Sequence, residues 1–267
     1  MNIVYAILVL GVLGGLFGLA LAYAAKVFYV KVDEREEQIN EVLPGANCGG
    51  CGFAGCGGCA AAIVAGRAPV GSCVPGGNAT AAKVADIMGV AAEVREKEVA
   101  FVRCSSKGLG GKYEYAGVQD CLAATLAGSN AGPKLCAQGC LGFGSCVAAC
   151  RFDAIHVVDG VAKVDPEVCT GCGMCKDTCP KHIITMVPYG AAVTVPCSNT
   201  EKGPAVRKEC EQGCIGCKLC EKNCEHDAIH VTDNLAAIDY SKCVACGKCA
   251  EKCPRKLITL DLNKVKK

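Results

Sequence analysis

Most of the 25 cysteines in this 267-residue chain stand two to four residues from the next, and that spacing restricts the fold more than any other feature. Neighbours so close are poor disulfide partners for each other but good adjacent ligands for one metal centre. The density, about one residue in eleven, would mean a disulfide scaffold in a short secreted chain; in a chain this long it means bound metal. The 51% hydrophobic fraction counts those cysteines, aromatics make up only 5%, and there is no Trp. Segments this poor in large side chains need a staple other than a core, and metal supplies one.

From Asn2 to Ala25 there is no charged side chain, a run long enough to cross a membrane as a helix. Gly11 with Gly15 and Gly14 with Gly18 form overlapping small-xxx-small pairs, which let another transmembrane helix approach closely. Ala22-Tyr23-Ala24 looks like a signal-peptide cleavage site, but no basic segment precedes the apolar run, and Lys26, Lys31 and Arg35 follow it. The expectation is an uncleaved single-pass anchor, residues 1–27, in the cell membrane. Its N-terminus lies outside and the cluster domains lie in the reducing cytoplasm. With no ionisable side chain in the span, the anchor carries no proton relay.

Residues 28–45 read as a short charged helix and linker ended by Pro44-Gly45, with Ile39, Val42 and Leu43 on one side. A small cysteine-rich cluster domain, 46–100, holds Cys48, Cys51, Cys56 and Cys73. Its second helix is expected to begin at an Asn78 or Thr80 cap, to carry Val84, Ile87 and Met88, and to stop near Gly89. Residues 98–103 (EVAFVR) are a strand candidate. Beyond residue 100 the chain repeats itself: Cys136-AQG-Cys140-LGFGS-Cys146-VAA-Cys150-RFDAIHV aligns with Cys210-EQG-Cys214-IGCKL-Cys220-EKN-Cys224-EHDAIHV. Each half then reaches a second run, Cys169-TG-Cys172-GM-Cys175-KDT-Cys179-Pro180 and Cys243-VA-Cys246-GK-Cys249-AEK-Cys253-Pro254. The fold class is therefore α+β: one transmembrane helix, the cluster domain, and two tandem ferredoxin-like modules of the bacterial two-cluster type, 101–190 and 191–267.

In C-x2-C-x2-C-x3-C runs the fourth cysteine ligates the other cluster of the pair. The last module then gives Cys214, Cys217, Cys220 with Cys253, and Cys243, Cys246, Cys249 with Cys224. In the first module Cys150, Cys169, Cys172 and Cys175 complete one set. The other is a ligand short, because Phe143 stands where Cys217 stands in the repeat; Cys140, Cys146 and Cys179 are expected to take Cys136 as the fourth. Those sets and the Cys48 group make five [4Fe–4S] clusters. Cys104, Cys121, Cys197 and Cys210 remain for a sixth between the modules, or serve as small apolar fillers, and Cys59 is spare. Tetrahedral zinc is the rival reading, but zinc sites use ligands in two pairs instead of three-plus-one runs closing on Cys-Pro. Six thiolate-bound clusters at about −2 each would take the formal charge from +2 to roughly −10. His156, His182, His226 and His230 read as structural or surface residues. The Gly-rich stretch 48–59 lacks the context and the Lys of a phosphate loop, so the chain has no nucleotide site of its own and no nucleic-acid partner is expected. Its glycines would let backbone amides reach cluster sulfurs.

LPGANCGGCGFAGC (43–56), then Cys73-VPGG, then tandem ferredoxin modules behind one apolar helix, resembles the B subunits of Rnf complexes along essentially the whole chain. Those complexes are membrane-bound ion-translocating ferredoxin:NAD oxidoreductases, and two modules resemble the longer form of the subunit. Cys59 lies where such relatives tend to carry an aromatic, and Arg151 and Glu225 replace the usual proline after the fourth cysteine. The resemblance implies an electron-transfer subunit of a translocase. Reduced soluble ferredoxin is the donor, other membrane and peripheral subunits of the complex are the partners, Na+ or H+ is moved elsewhere, and NAD is reduced at a flavin on another subunit. A cluster subunit of a membrane hydrogenase or dehydrogenase, or a zinc-stapled membrane adaptor, are the alternatives. The C-terminal stretch 241–267, with Lys242, Lys248, Lys252, Arg255, Lys256, Lys264, Lys266 and Lys267, is expected to steer an acidic ferredoxin or to form a solvated face.

Overall fold

The computed structural model describes residues 2–28, 33–105, 110–127 and 132–261. Lys31, Lys264, Lys266 and Lys267 lie outside them. Helix α1, Asn2–Val27, is the uninterrupted apolar run expected, with Lys26 in its last turn. Ile7–Val27 is apolar and long enough to span a bilayer, and none of it is buried against the rest of the chain. A side chain added at Gly11, Gly14, Gly15 or Gly18 would meet nothing, so both small-residue pairs are open.

Three helices make the next unit. Asp33 caps α2 (Glu34–Val42) by accepting from the Arg35 N–H, and Ile39 and Leu43 turn inward. The Gly-rich stretch is not all loop: α3 runs Gly55–Val64 and carries Cys56 and Cys59 on successive turns. Asn47 Oδ1 accepts from the Cys56 N–H at 2.8 Å, holding the preceding loop against the start of α3. Helix α4 spans Gly77–Met88 and stops at Gly89, left-handed at φ 67°. Its N-cap is Gly76, not Asn78 or Thr80; the Asn78 amide instead binds the Arg95 backbone on both sides, at 2.9 and 3.0 Å. Ile39, Leu43, Cys59, Ala60, Ile63 and Val84 form the core between these helices.

Strand β1, Glu98–Val102, pairs antiparallel with β4, Ile184–Pro188, from Glu98 opposite Pro188 to Val102 opposite Ile184. The first module therefore begins with β1, and the 100/101 boundary expected from the sequence cuts through that strand. Between β1 and β4 lie α5 (Cys121–Leu126), α6 (Ser145–Ala148), the hairpin β2 (Ile155–Val158) with β3 (Val161–Val164), and α7 (Met174–Thr178). The second module repeats this plan with β5 (Val193–Thr194), α8 (Gly203–Glu209), α9 (Leu219–Lys222), β6 (Ile229–Thr232), β7 (Leu235–Ile238), α10 (Lys248–Glu251) and β8 (Thr259–Leu260). There β5 pairs with β8 and β6 with β7. The hairpins turn on Asp159-Gly160 and Asp233-Asn234, four residues all at positive φ, as the tight turns between right-twisted strands require. Each module's core is small, mostly Val, Ile and Ala with inward-facing cysteines. That composition leaves much of the module's cohesion to whatever the cysteines hold.

Candidate metal centres

Four apolar cavities lie inside the two modules, and each is lined by four cysteines. In the second module one has Cys214, Cys217, Cys220 and Cys253, and another has Cys224, Cys243, Cys246 and Cys249. In the first, Cys150, Cys169, Cys172 and Cys175 share one. All three groups are the ones expected from the runs. The short helix inside each run supplies the geometry: at its N-cap Gly144, Gly173, Gly247 or Lys218, each left-handed, turns the chain sharply so that flanking cysteines face one space. His226 also lines the Cys224 cavity.

The fourth cavity departs from expectation. Cys140, Cys146 and Cys179 line it with Cys121, and Cys136 is not among its residues. Asp120 caps α5 by accepting from Ala123 N–H at 2.9 Å, and its other oxygen accepts from Ser145 Oγ at 2.7 Å. Ser145 Oγ in turn accepts from the Cys121 N–H at 2.8 Å, which clamps the start of α5 to the start of α6. Phe143, the residue that replaces a cysteine, pairs its ring with Tyr115 at 5.2 Å between centroids. Burial, then Cys140, Cys121 and Cys179, pushes the Cys146 thiol up to about 12.

Cys136 lies at the seam between the modules. Asn199, the single buried polar residue among the described residues, donates from Nδ2 to Cys136 Sγ at 3.4 Å. Burial raises the Cys136 thiol, with Cys104 and Cys210 among its neighbouring thiols. Cys197 accepts at Sγ from the Cys214 N–H at 3.4 Å; burial, opposed by that bond, leaves its thiol at about 11, with Cys136 nearby. Arginines hold the flanking carbonyls, Arg103 Nε on Cys197 O at 3.2 Å and Arg255 Nη2 on Cys210 O at 2.6 Å. Gln138 knits the seam: its carbonyl accepts from Ser198 Oγ at 2.8 Å and its Oε1 from the Thr200 N–H at 2.7 Å. Cys104, Cys136, Cys197 and Cys210 thus share one neighbourhood, and Cys121 is outside it.

In the helical unit, Cys73 is raised by burial and faces Cys56, Cys51 and Cys48. Cys59 is almost fully enclosed, and burial, then Cys51, pushes its thiol to about 12. Such a thiol is a small apolar filler.

The donor sets fit iron–sulfur groups. Backbone N–H groups point at the sulfurs of Cys169, Cys150, Cys140 and Cys224, from Ala100, Ala154, Ala162 and Ala228, at 3.4–3.5 Å. Such bonds stabilise thiolates and tune a cluster's potential. Among the described residues no three Cys, His, Asp or Glu side chains converge as a single ion needs. Four thiolates on one zinc would stand only roughly 3.8 Å apart. Arg255, one of the residues lining the Cys214 cavity, has its Nε buried without a hydrogen-bond partner.

Of the four histidines, His156 is exposed and lies 3.9 Å from Asp153, and His230 lies 3.1 Å from Asp227 O. Among the C-terminal basic residues, Lys242 pairs with Asp227, Lys248 with Glu225, and Arg255 turns inward. Lys252 and Lys256 remain exposed, and Lys218, on the Cys214 cavity, is exposed as well.

Family models match three stretches: an Fe-S cluster model over residues 43–75, a 4Fe-4S binding domain over 162–185, and a 4Fe-4S dicluster domain over 213–257. Domains that bind [4Fe–4S] clusters are therefore present in both modules. Relatives align along nearly the whole chain. The B subunit of the Na+-translocating ferredoxin:NAD+ oxidoreductase complex of Acetobacterium woodii is 47% identical over 96% of this chain and 77% of its own length. The B subunit of the ion-translocating oxidoreductase complex of Methanosarcina acetivorans is 44% identical over 97% and 98%. The proton-translocating counterpart of Clostridium ljungdahlii is 45% identical over 95% and 91%.

Proposed function

The chain belongs to the B-subunit family of ion-translocating ferredoxin:NAD oxidoreductases, the Rnf complexes, and on that premise we propose that it relays electrons from reduced soluble ferredoxin to the membrane subunits of such a complex. Each [4Fe–4S] cluster, when bound, takes up and gives back one electron without a bond being made at the protein. The residues do the rest: thiolates hold, amides stabilise, and apolar walls keep water from the sulfurs. The observation that carries this reading is where the exposed cysteines lie. Cys217 and Cys246, one in each ligand set of the second module, are exposed, whereas every cysteine of the first module and of the helical unit is buried or partly buried. That difference supports electron entry at the distal module and delivery toward the helical unit that follows α1 in the chain.

The ligand sets follow the cavities: Cys214, Cys217, Cys220, Cys253; Cys224, Cys243, Cys246, Cys249; Cys150, Cys169, Cys172, Cys175; and Cys121, Cys140, Cys146, Cys179. Cys48, Cys51, Cys56 and Cys73 hold a fifth cluster near the anchor. Cys104, Cys136, Cys197 and Cys210 hold a sixth across the seam, with Cys121 and Cys136 exchanging the roles expected from the sequence. Helix α1 anchors the chain with the modules in the cytoplasm, and the coupling ion is moved by other subunits, since the span has no ionisable group. Ferredoxin docks at the distal module, near Lys218, Lys252 and Lys256.

Anaerobically purified complex tests this reading. Its broad brown absorbance should bleach on addition of reduced ferredoxin, with NADH appearing, and iron should approach about 24 per chain for six clusters. A colourless zinc-loaded chain would remove the reading, and about 20 irons would remove the sixth cluster. Lys218, Lys252 and Lys256 reversed together to Glu should slow ferredoxin oxidation roughly tenfold at low salt, with the difference shrinking as salt rises.

A further inference from the structure

Four glycines crowd the loop that carries Cys48 and Cys51, and three of them have an internal reason to be there: Gly49, Gly52 and Gly55 are left-handed, at φ 77°, 81° and 82°. Gly50 is not left-handed, so its backbone would accept any residue. A neighbour accounts for it. A Cβ at Gly50 would lie 2.5 Å from the carbonyl oxygen of Cys172 and 3.0 Å from its Cβ. Nearby, a Cβ at Gly171, left-handed at φ 75°, would stand 2.4 Å from Glu98 O within the first module and in ordinary contact, 3.6 Å, with Val74 Cγ1 of the helical unit. The loop between Cys48 and Cys51 thus rests on Cys172 itself, and Val74, next to Cys73, lies beside Gly171.

We propose that Gly50 is a positioning residue for electron transfer, its missing side chain letting the Cys48–Cys51 loop rest directly on Cys172 and so fixing the gap between the helical unit's cluster and that of Cys150, Cys169, Cys172 and Cys175. The inference rests on the relay proposed above. One electron leaves the reduced centre held by the Cys172 set and enters the oxidised centre held by the Cys48 set; no bond changes and no proton moves. Tunnelling between two such centres depends steeply on the protein gap, and a contact of backbone on ligand backbone is the shortest that a chain offers. Bulk at Gly50 lengthens it by pressing on the Cys172 backbone, without replacing any ligand.

The experiment compares purified complexes carrying wild-type chain, Gly50→Ala, Gly57→Ala and Val74→Glu. Gly57 is the control, because a Cβ there meets only Asn40 Oδ1, at 4.0 Å. Each is assayed for iron, for the paramagnetic resonance of fully reduced clusters, and for the rate at which the Cys48-set centre is reduced after mixing with ferredoxin. In Gly50→Ala, iron should be unchanged, magnetic coupling between the two centres should weaken, and the reduction rate should fall severalfold. Val74→Glu, which leaves the Cys48–Cys51 loop intact, should act in the same direction, and Gly57→Ala should match wild type. Full iron with wild-type coupling and rate in Gly50→Ala would overturn the proposal. So would loss of about four irons from that variant, which would place the glycine's role inside its own ligand loop. Wild-type chain lacking reducible clusters would instead overturn the relay itself.

Discussion

Asn199 Nδ2 donates to Cys136 Sγ at 3.4 Å across the seam between the two modules. A buried amide aimed at sulfur is worth most when that sulfur is a thiolate, because bonds to charged groups contribute about 1.5–3 kcal/mol, more than neutral ones. Asn199→Leu is expected to cost the loaded protein about 2 kcal/mol and to release the seam cluster first. Iron content and a melting curve read both effects. Full iron in this variant would mean that Asn199 serves packing alone.

The proposed exchange of ligand roles between Cys121 and Cys136 can be separated from a general loss of iron. Phe143 occupies the position that Cys217 holds in the second module, so a cysteine there should restore the ligand that the repeat lacks. Cys121→Ser is expected to lose the buried cluster of the first module, and adding Phe143→Cys should recover it. The same addition should leave Cys136→Ser short of iron, because that variant loses the seam cluster instead. Resonance spectra of the two double variants, compared with their parents, check this.

The runs closing on Cys-Pro made three of the cavities legible in the sequence, because ligands fixed by local spacing need no knowledge of distant contacts. The departures are long-range. Cys121 sits in a stretch of the first module with no counterpart in the second: 32 residues separate Cys104 from Cys136, against 13 between Cys197 and Cys210. The repeat held a usable signal, since Cys104 with Cys197 and Cys136 with Cys210 are symmetric pairs, which leaves Cys121 as the unmatched cysteine that lines the cavity of Cys140, Cys146 and Cys179. The Asp120–Ser145 clamp that brings Cys121 in leaves no local pattern. Helix α3 was hidden by glycine, a poor helix former, and forms because Ile63, Ala60 and Cys59 pack under α2 and α4. The inward turn of Arg255 also could not be read from a basic run, which counts charges but not directions.

Lys218 stands where three other cluster helices begin with glycine, at φ 58°. A side chain in that conformation costs roughly 1–2 kcal/mol, partly offset by the greater entropy glycine would lose on folding. Lys218→Gly should therefore raise stability by about 1 kcal/mol and keep all iron. It should also slow ferredoxin oxidation at low salt, because an exposed charge beside the Cys214 cavity is gone. A stabler variant with an unchanged rate would put ferredoxin docking elsewhere.

The apoprotein should be sensitive to alkali in a way the loaded protein is not. Burial pushes Cys146 to about 12 and Cys175, Cys197, Cys220 and Cys249 to about 11, whereas an unfolded thiol titrates near roughly 8.5. A folded value above the unfolded one means that the fold holds its protons more tightly than the open chain does. The stability this contributes is whole below about pH 8.5 and is lost as pH climbs through 11 to 12. Melting temperatures of iron-free chain should fall across that window. Thiolates bound to iron have already given up their protons, so the loaded chain should show no matching fall until its metal is released. Equal slopes for the two forms would mean that these thiols do not set the alkaline limit.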